Sequence, residues 1–264
     1  MLSFTTSFLR RPGSPAAASV FIAAMLLPFS FTGGVVTTPA ISHALGGSPA
    51  ALSWLTNGFM LTFGGFLLSA GVIADAVGRK RVFILGLLLF CLSCLLICLA
   101  ENTAAIGVLR SLQGVAAAMT LAGGSAVLAQ LYDGVARTRA FSVLGTLFGA
   151  GLAFGPLAIG YITDALGWRW VYASIALLSG TVMLAGALFI PAAQIGSRQK
   201  VDYAGLALFT AALVLFTAGI MLVPTWGFFS LRGLALFITA LMLFAAFTAR
   251  CLKVAYPVFD ISLM

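Results

Sequence analysis

Three stretches of this sequence set polar or ionisable residues at spacings that could do chemistry. Asp75 follows a run from Ala51 to Ala70 with no charged side chain, and Arg79, Lys80 and Arg81 come directly after it. A carboxylate so placed can reach water, pair with a neighbouring cation or complement a helix N-terminus. Arg110, Gln113, Gly114 and Ala117 fall at i, i+3, i+4 and i+7, so they share one helical face that is polar and small. Ser30, Thr32, Gly33, Gly34, Thr37 and Thr38, with Pro28 and Pro39 nearby, supply hydroxyls that either line a cavity or bond back to their own helix.

Other chemistries have no footing. There is no H-E-x-x-H, no pair of embedded acids and no His beside a nucleophile, which sets an intramembrane enzyme aside. Cys91, Cys94 and Cys98 recur at helical spacing without nearby His or acids, so they read as apolar packing and no metal is implied. Nor does any pattern imply a cofactor.

The elements that must position these residues follow from composition. Hydrophobic residues make up 62% of the 264 and charged residues 8%, against about 45–50% and about 25% in soluble domains. A membrane-crossing helix needs about 20 apolar residues, and eight stretches qualify: 16–41, 52–74, 82–99, 104–131, 139–162, 169–191, 203–224 and 231–250. None alternates as the strands of a membrane barrel would. The expectation is an all-α membrane protein in a lipid bilayer. Arg10 and Arg11 before the first span resemble a signal peptide, but seven more spans follow without a clear small-residue cleavage site after the first. The net charge of +8 is spread over short loops, which excludes a nucleic-acid surface.

Those cations report orientation. Arg10, Arg11, Arg79, Lys80, Arg81, Arg137, Arg139, Arg198, Lys200, Arg250 and Lys253 lie before the first span, in or beside every second loop, or after the last span, whereas the opposite loops hold only Arg169 and Arg232. The positive-inside rule then makes both ends cytoplasmic in a multi-pass protein of the cell membrane.

The stretch Gly71-x-Ile73-x-Asp75-x-x-Gly78-Arg79-Lys80-Arg81, between spans 2 and 3, resembles the signature loop of the major facilitator superfamily of secondary transporters. Further matches keep the family's order. Arg110-Ser111-Leu112-Gln113-Gly114 resembles its R-x-x-Q-G motif, and Gly151-x-x-x-Gly155-Pro156-x-x-x-Gly160 its antiporter motif. Gly167-Trp168-Arg169-Trp170 resembles its G-W-R-W motif, and eight spans with Val201-Asp202-Tyr203 opening the seventh look like the fourteen-helix drug:proton antiporter branch. The resemblance implies a six-helix bundle at 16–191, a cytoplasmic linker at 192–202, an additional helix pair at 203–250, and terminal segments 1–15 and 251–264 in the cytoplasm. It also implies roles. Gly71, Asp75, Gly78, Arg79, Lys80 and Arg81 form a cytoplasmic gating loop in which Asp75 latches bundle parts together. Arg110, Gln113, Gly114, Thr32 and Thr37 are candidates for substrate or coupling contacts. Gly151, Gly155, Pro156 and Gly160 pack and bend span 5. The implied partners are a lipophilic small molecule and a coupling proton.

The sequence also departs from that branch. Thr32 and Thr37 stand where the branch has an acid and an Asn, Ile159 replaces a motif glycine, and no Asp or Glu lies deep in any span. These departures weigh against proton coupling through this part of the chain. The family's second six-helix half is missing, so the expectation is a multidrug-efflux-like carrier that is incomplete, or that assembles with a separate half. The alternative is a truncated, non-transporting protein that pairs with other helices.

Overall fold

A computed structural model describes residues 14–191, 202–227 and 230–254. Their regular structure is helical throughout: α1 (Ser14–Leu45), α2 (Pro49–Val77), α3 (Arg79–Leu99), α4 (Thr103–Leu131), α5 (Gly134–Leu166), α6 (Trp168–Phe189), α7 (Tyr203–Trp226) and α8 (Leu231–Cys251). Each contains a segment long and apolar enough to cross a membrane. The expected terminal segments and the linker fall largely outside the described residues.

Most helices begin or end a few residues beyond the apolar runs, and side-chain caps hold several of their N-termini. Ser48 Oγ accepts from Ala51 N at 3.2 Å and Asn102 Oδ1 from Ala105 N at 2.8 Å. Ser230 Oγ accepts from Gly233 N at 3.0 Å. Each cap satisfies a donor that the first helical turn leaves without a partner. Two reversals take a single residue, Gly78 at φ 119° and Gly167 at φ 95°, in a backbone region that side chains disfavour.

Inside a bilayer, helices associate through close packing and polar contacts rather than water exclusion. Small residues carry that packing here. A side chain at Gly86 would meet Thr120 N within 2.6 Å, and one at Gly123 would meet Phe83 N within 2.7 Å, so α3 and α4 touch main chain to main chain. One buried cluster, with Val20, Phe83, Leu87, Leu128 and Ala140, fills the cation-rich end of the bundle. Another, with Leu55, Phe90, Ile97, Ile106 and Tyr172, fills the rest.

Antiparallel α3 and α6 cap each other reciprocally. Lys80 Nζ, in the first turn of α3, donates to Ala187 O at 2.8 Å and Ile190 O at 2.6 Å at the end of α6. At the opposite end Arg169, in the first turn of α6, donates to Cys98 O at 3.1 Å and Ala100 O at 3.3 Å, and its guanidinium lies 4.3 Å from the Trp168 ring. Cations at helix C-termini satisfy orphan carbonyls and complement the dipole. Lys80→Ala and Arg169→Ala should each lower stability by about 1 kcal/mol. The two effects should add, since the sites lie about 30 Å apart. Thermal unfolding of both single variants and the double variant in one detergent checks this. Silent single variants would remove the caps from the account.

α7 and α8 pack as a pair, and α7 also packs on α2. Ser69 of α2 and Thr210 of α7 share a hydrogen bond between their hydroxyls. At the cation-rich end Asp202 caps α7 through Gly205 N at 3.0 Å and is gripped by Arg250 of α8, Nη2 to Oδ1 at 2.8 Å. That guanidinium holds the buried Asp202 carboxyl below the usual carboxylate range.

Candidate functional site

A cavity of about 290 Å³ opens between α1, α2 and α5. Leu27, Pro28 and Phe31 line it from α1, Phe59, Met60 and Phe63 from α2, and Phe148 and Leu152 from α5. The spacing of Phe59 and Phe63 by four places both rings on one side of α2. Their centroids are 6.0 Å apart at an interplanar angle of 18°, and Phe31 lies 6.0 Å from Phe59. Three rings thus form a continuous aromatic wall.

Arg110 stands behind that wall, not on it. Its side chain is fully buried. Nε donates to Leu55 O of α2 at 2.9 Å, Nη1 donates to Ser30 O of α1 at 2.9 Å and to Gln113 Oε1 at 2.6 Å, and Nη2 reaches Phe31 O at 3.5 Å. Its guanidinium carbon is 4.6 Å from the Phe59 ring centroid. An embedded arginine costs about 2.5–3.5 kcal/mol on insertion scales, and these bonds offset that cost. Gln113 passes the network on, donating to Cys94 Sγ of α3 at 2.8 Å. Arg110, Gln113, Gly114 and Ala117 do share one buried face, as their spacing requires. That face binds helices together instead of lining a wet cavity. Gly34 makes room for the guanidinium, since a side chain there would collide with it. Gly114 lets α4 lie against the main chain of α2 at Phe59 and Phe63.

The hydroxyls expected at the cavity turn back on α1. Thr32 Oγ1 donates to Pro28 O at 3.0 Å, Thr37 Oγ1 to Gly33 O at 2.6 Å, and Thr38 Oγ1 to Gly34 O at 2.5 Å. Thr37 also meets the Tyr172 hydroxyl of α6 at 3.2 Å. Of the two competing expectations for these residues, back-bonding is the one observed. The physical reason is that a β-hydroxyl in a helix can reach the carbonyl one turn earlier, whereas the cavity offers it no polar partner.

In the loop, Asp75 Oδ1 accepts from Arg79 Nε at 3.0 Å, and Arg79 Nη1 reaches Ala126 O of α4 at 3.4 Å. The carboxylate is 54% exposed, so most of its capacity stays free for a further partner. Gly78 makes the reversal, Lys80 caps α6, and Arg81 is exposed. Gly71, in the last two turns of α2, serves no close helix approach. A side chain there would meet no atom within 4 Å, because that face of α2 has no neighbour among the described residues. The close approaches of α2 occur instead at Gly58 and Gly65.

Span 5 divides in the same way. Gly151 and Gly155 face α1, where a side chain would press on Met25 O at 2.6 Å and on Thr32 Oγ1 at 2.6 Å. Gly160 has open space around it, and Pro156 points to the exposed side of α5. The close packing expected of these glycines is seen at Gly151 and Gly155 and not at Gly160. Motif spacing gave no sign of the phenylalanine wall, for which the only available signal was the four-residue interval between Phe59 and Phe63.

Residues 20–263 match the family model of the Major Facilitator Superfamily. The chain is 27% identical over 258 residues to the tetracenomycin C resistance and export protein of Streptomyces glaucescens, covering 97% of this chain and 48% of that protein. It is 36% identical over 184 residues to the puromycin resistance protein of Streptomyces alboniger, covering 68% of this chain and 36% of that protein. The chain therefore spans half or less of the length of these relatives. In fold it is similar to the POT family transporter PepTSo, with a TM-score of 0.64 at 17% identity, over 89% of this chain and 52% of that one.

Proposed function

Because the chain belongs to the major facilitator superfamily, we propose that it forms the substrate-binding part of a secondary transporter that exports a lipophilic small molecule by alternating access. One observation carries this reading. The bundle holds an aromatic cavity walled by Phe31, Phe59, Phe63 and Phe148, apolar on all sides and braced from behind by a buried arginine network. Such a cavity suits a ligand that partitions out of lipid or water by its apolar surface. The drug-resistance names of the relatives agree with it.

In this reading α1 to α6 are one six-helix bundle and α7 with α8 an added pair. A second bundle, on the same polypeptide or on another, faces the open side. Any coupling proton is carried by that second bundle, since Asp75, Asp133, Asp164 and Asp202 all stand at helix ends. The half-exposed Asp75 is the contact that latches the two bundles in one conformation.

Two measurements test the proposal. In lipid nanodiscs, a neutral fluorescent naphthalene should bind the purified protein saturably, and Phe148→Ala should weaken binding about tenfold or more. Binding that never saturates, or that ignores Phe148→Ala, would defeat the assignment of the cavity. The second concerns placement in the cell membrane with both ends cytoplasmic. Single cysteines at 79–81 and 198–200, in a background lacking the native cysteines, should label only from the cytoplasm, and those at 44–48 only from outside. The reverse pattern would invert the topology.

A further inference from the structure

The charge environment of the cavity points to a narrower ligand class. Among the described residues Arg110, on α4 behind the wall, is the one charged side chain that stands away from the helix ends. Its hydrogen-bond partners are all neutral: the carbonyls of Leu55, Ser30 and Phe31, the Ser30 hydroxyl and the Gln113 amide. The ion pairs in the described structure lie elsewhere, Asp75 with Arg79 and Asp202 with Arg250, both at the cation-rich end. The positive charge of Arg110 is therefore solvated by dipoles but not neutralised.

That charge bears directly on the cavity. The guanidinium contacts two members of the aromatic wall, Phe59 through its ring at 4.6 Å and Phe31 through its carbonyl. The wall presents no carboxylate, hydroxyl or amide of its own. In an apolar, water-poor setting a full charge is weakly screened and its field extends across several ångströms. Aromatic faces do attract cations through their quadrupoles. Here, however, one face of Phe59 is already taken by the guanidinium, and quadrupole attraction falls off with distance faster than charge repulsion.

We infer that the cavity binds planar aromatic molecules that are neutral or anionic and discriminates against cationic ones. The stacked Phe59 and Phe63 rings, with Phe31 tilted beside them, set the planar preference. Arg110 sets the preference for charge sign, acting through Phe59 without touching the ligand, as a specificity-determining residue. This inference rests on the cavity being the ligand site.

The experiment uses the purified protein in nanodiscs of zwitterionic lipid and three fluorescent naphthalenes. They are matched in core and carry a sulfonate, a hydroxymethyl or a trimethylammonium group. The sulfonate and the neutral probe should bind at least tenfold more tightly than the ammonium probe, after subtraction of binding to empty nanodiscs. Met60→Glu, which sets an acid on the partly exposed rim of the cavity, should narrow or reverse that ratio. It does so without touching the Arg110 network. Equal affinities, or tighter binding of the ammonium probe, with all binding still sensitive to Phe148→Ala, would overturn the charge inference and leave the cavity as the ligand site. Insensitivity of all three probes to Phe148→Ala would remove the site itself, and the inference with it.

Discussion

Arg110→Ala is expected to lower the stability of the protein by about 3–5 kcal/mol, the largest effect of any single substitution considered. The variant loses a fully buried side chain that joins α1, α2 and α4 through Ser30 O, Leu55 O and Gln113 Oε1. It also leaves a void beside Phe59, and Gln113 loses one of its two partners. Arg110→Lys should recover less than half of the loss. A single ammonium cannot donate at once to acceptors on two neighbouring helices in the planar geometry of a guanidinium. Thermal unfolding in detergent, followed by tryptophan fluorescence, measures both variants. A wild-type midpoint for the alanine variant would show that the network does not hold the bundle together. Loss of transport in Arg110→Ala carries little meaning unless that unfolding measurement stands beside it.

Gly114→Ala should cost about 2–3 kcal/mol, whereas Gly160→Ala should be neutral or stabilising by up to about 1 kcal/mol. A side chain at Gly114 would fall against the Phe59 carbonyl and Thr62 Oγ1 and within 3.0 Å of Phe63 N. Main-chain atoms cannot rotate away, so α4 and α2 must separate. That separation would also break the bond from Thr62 Oγ1 to Ser111 O, now 2.6 Å. It would disturb the cavity wall, because Phe59 and Phe63 belong to it. At Gly160 nothing lies within 4 Å, and alanine simply has the better helix propensity. The same unfolding measurement on the pair decides the matter. Equal midpoints would mean that the helices have more slack than their spacing shows.

The helices were legible in the sequence because one requirement, about 20 apolar residues between polar ends, dominates every span. The shared face of Arg110, Gln113 and Gly114 was legible for an equally simple reason, since helical spacing fixes it. What that face looks toward was not. Periodicity says which residues point together but not which neighbour receives them, and here carbonyls of α1 and α2 receive Arg110. The same gap explains the glycines. Gly155 and Gly160 look alike in a motif, yet only the first meets another helix. With 22 phenylalanines in the chain, nothing local separates Phe59 on the cavity wall from Phe154, which is 61% exposed on the outside of α5. The reciprocal caps of α3 and α6 joined residues about 70 to 110 positions apart, such as Arg169 with Cys98 and Lys80 with Ile190. That separation is beyond the reach of any local rule.

The grip of Arg250 on Asp202 has a consequence for how such a chain can be built. It ties the first residue before α7 to the last turn of α8, so the pair leaves one face of the bilayer and returns to the same point on it. An excursion of two crossings is even in parity. Adding or deleting it does not invert the sidedness of anything encoded after it, and the closed clasp means that neither splice point has to move. The pair therefore has the geometry of a self-closed excursion, two crossings that leave the orientation of the helices on either side of it unchanged.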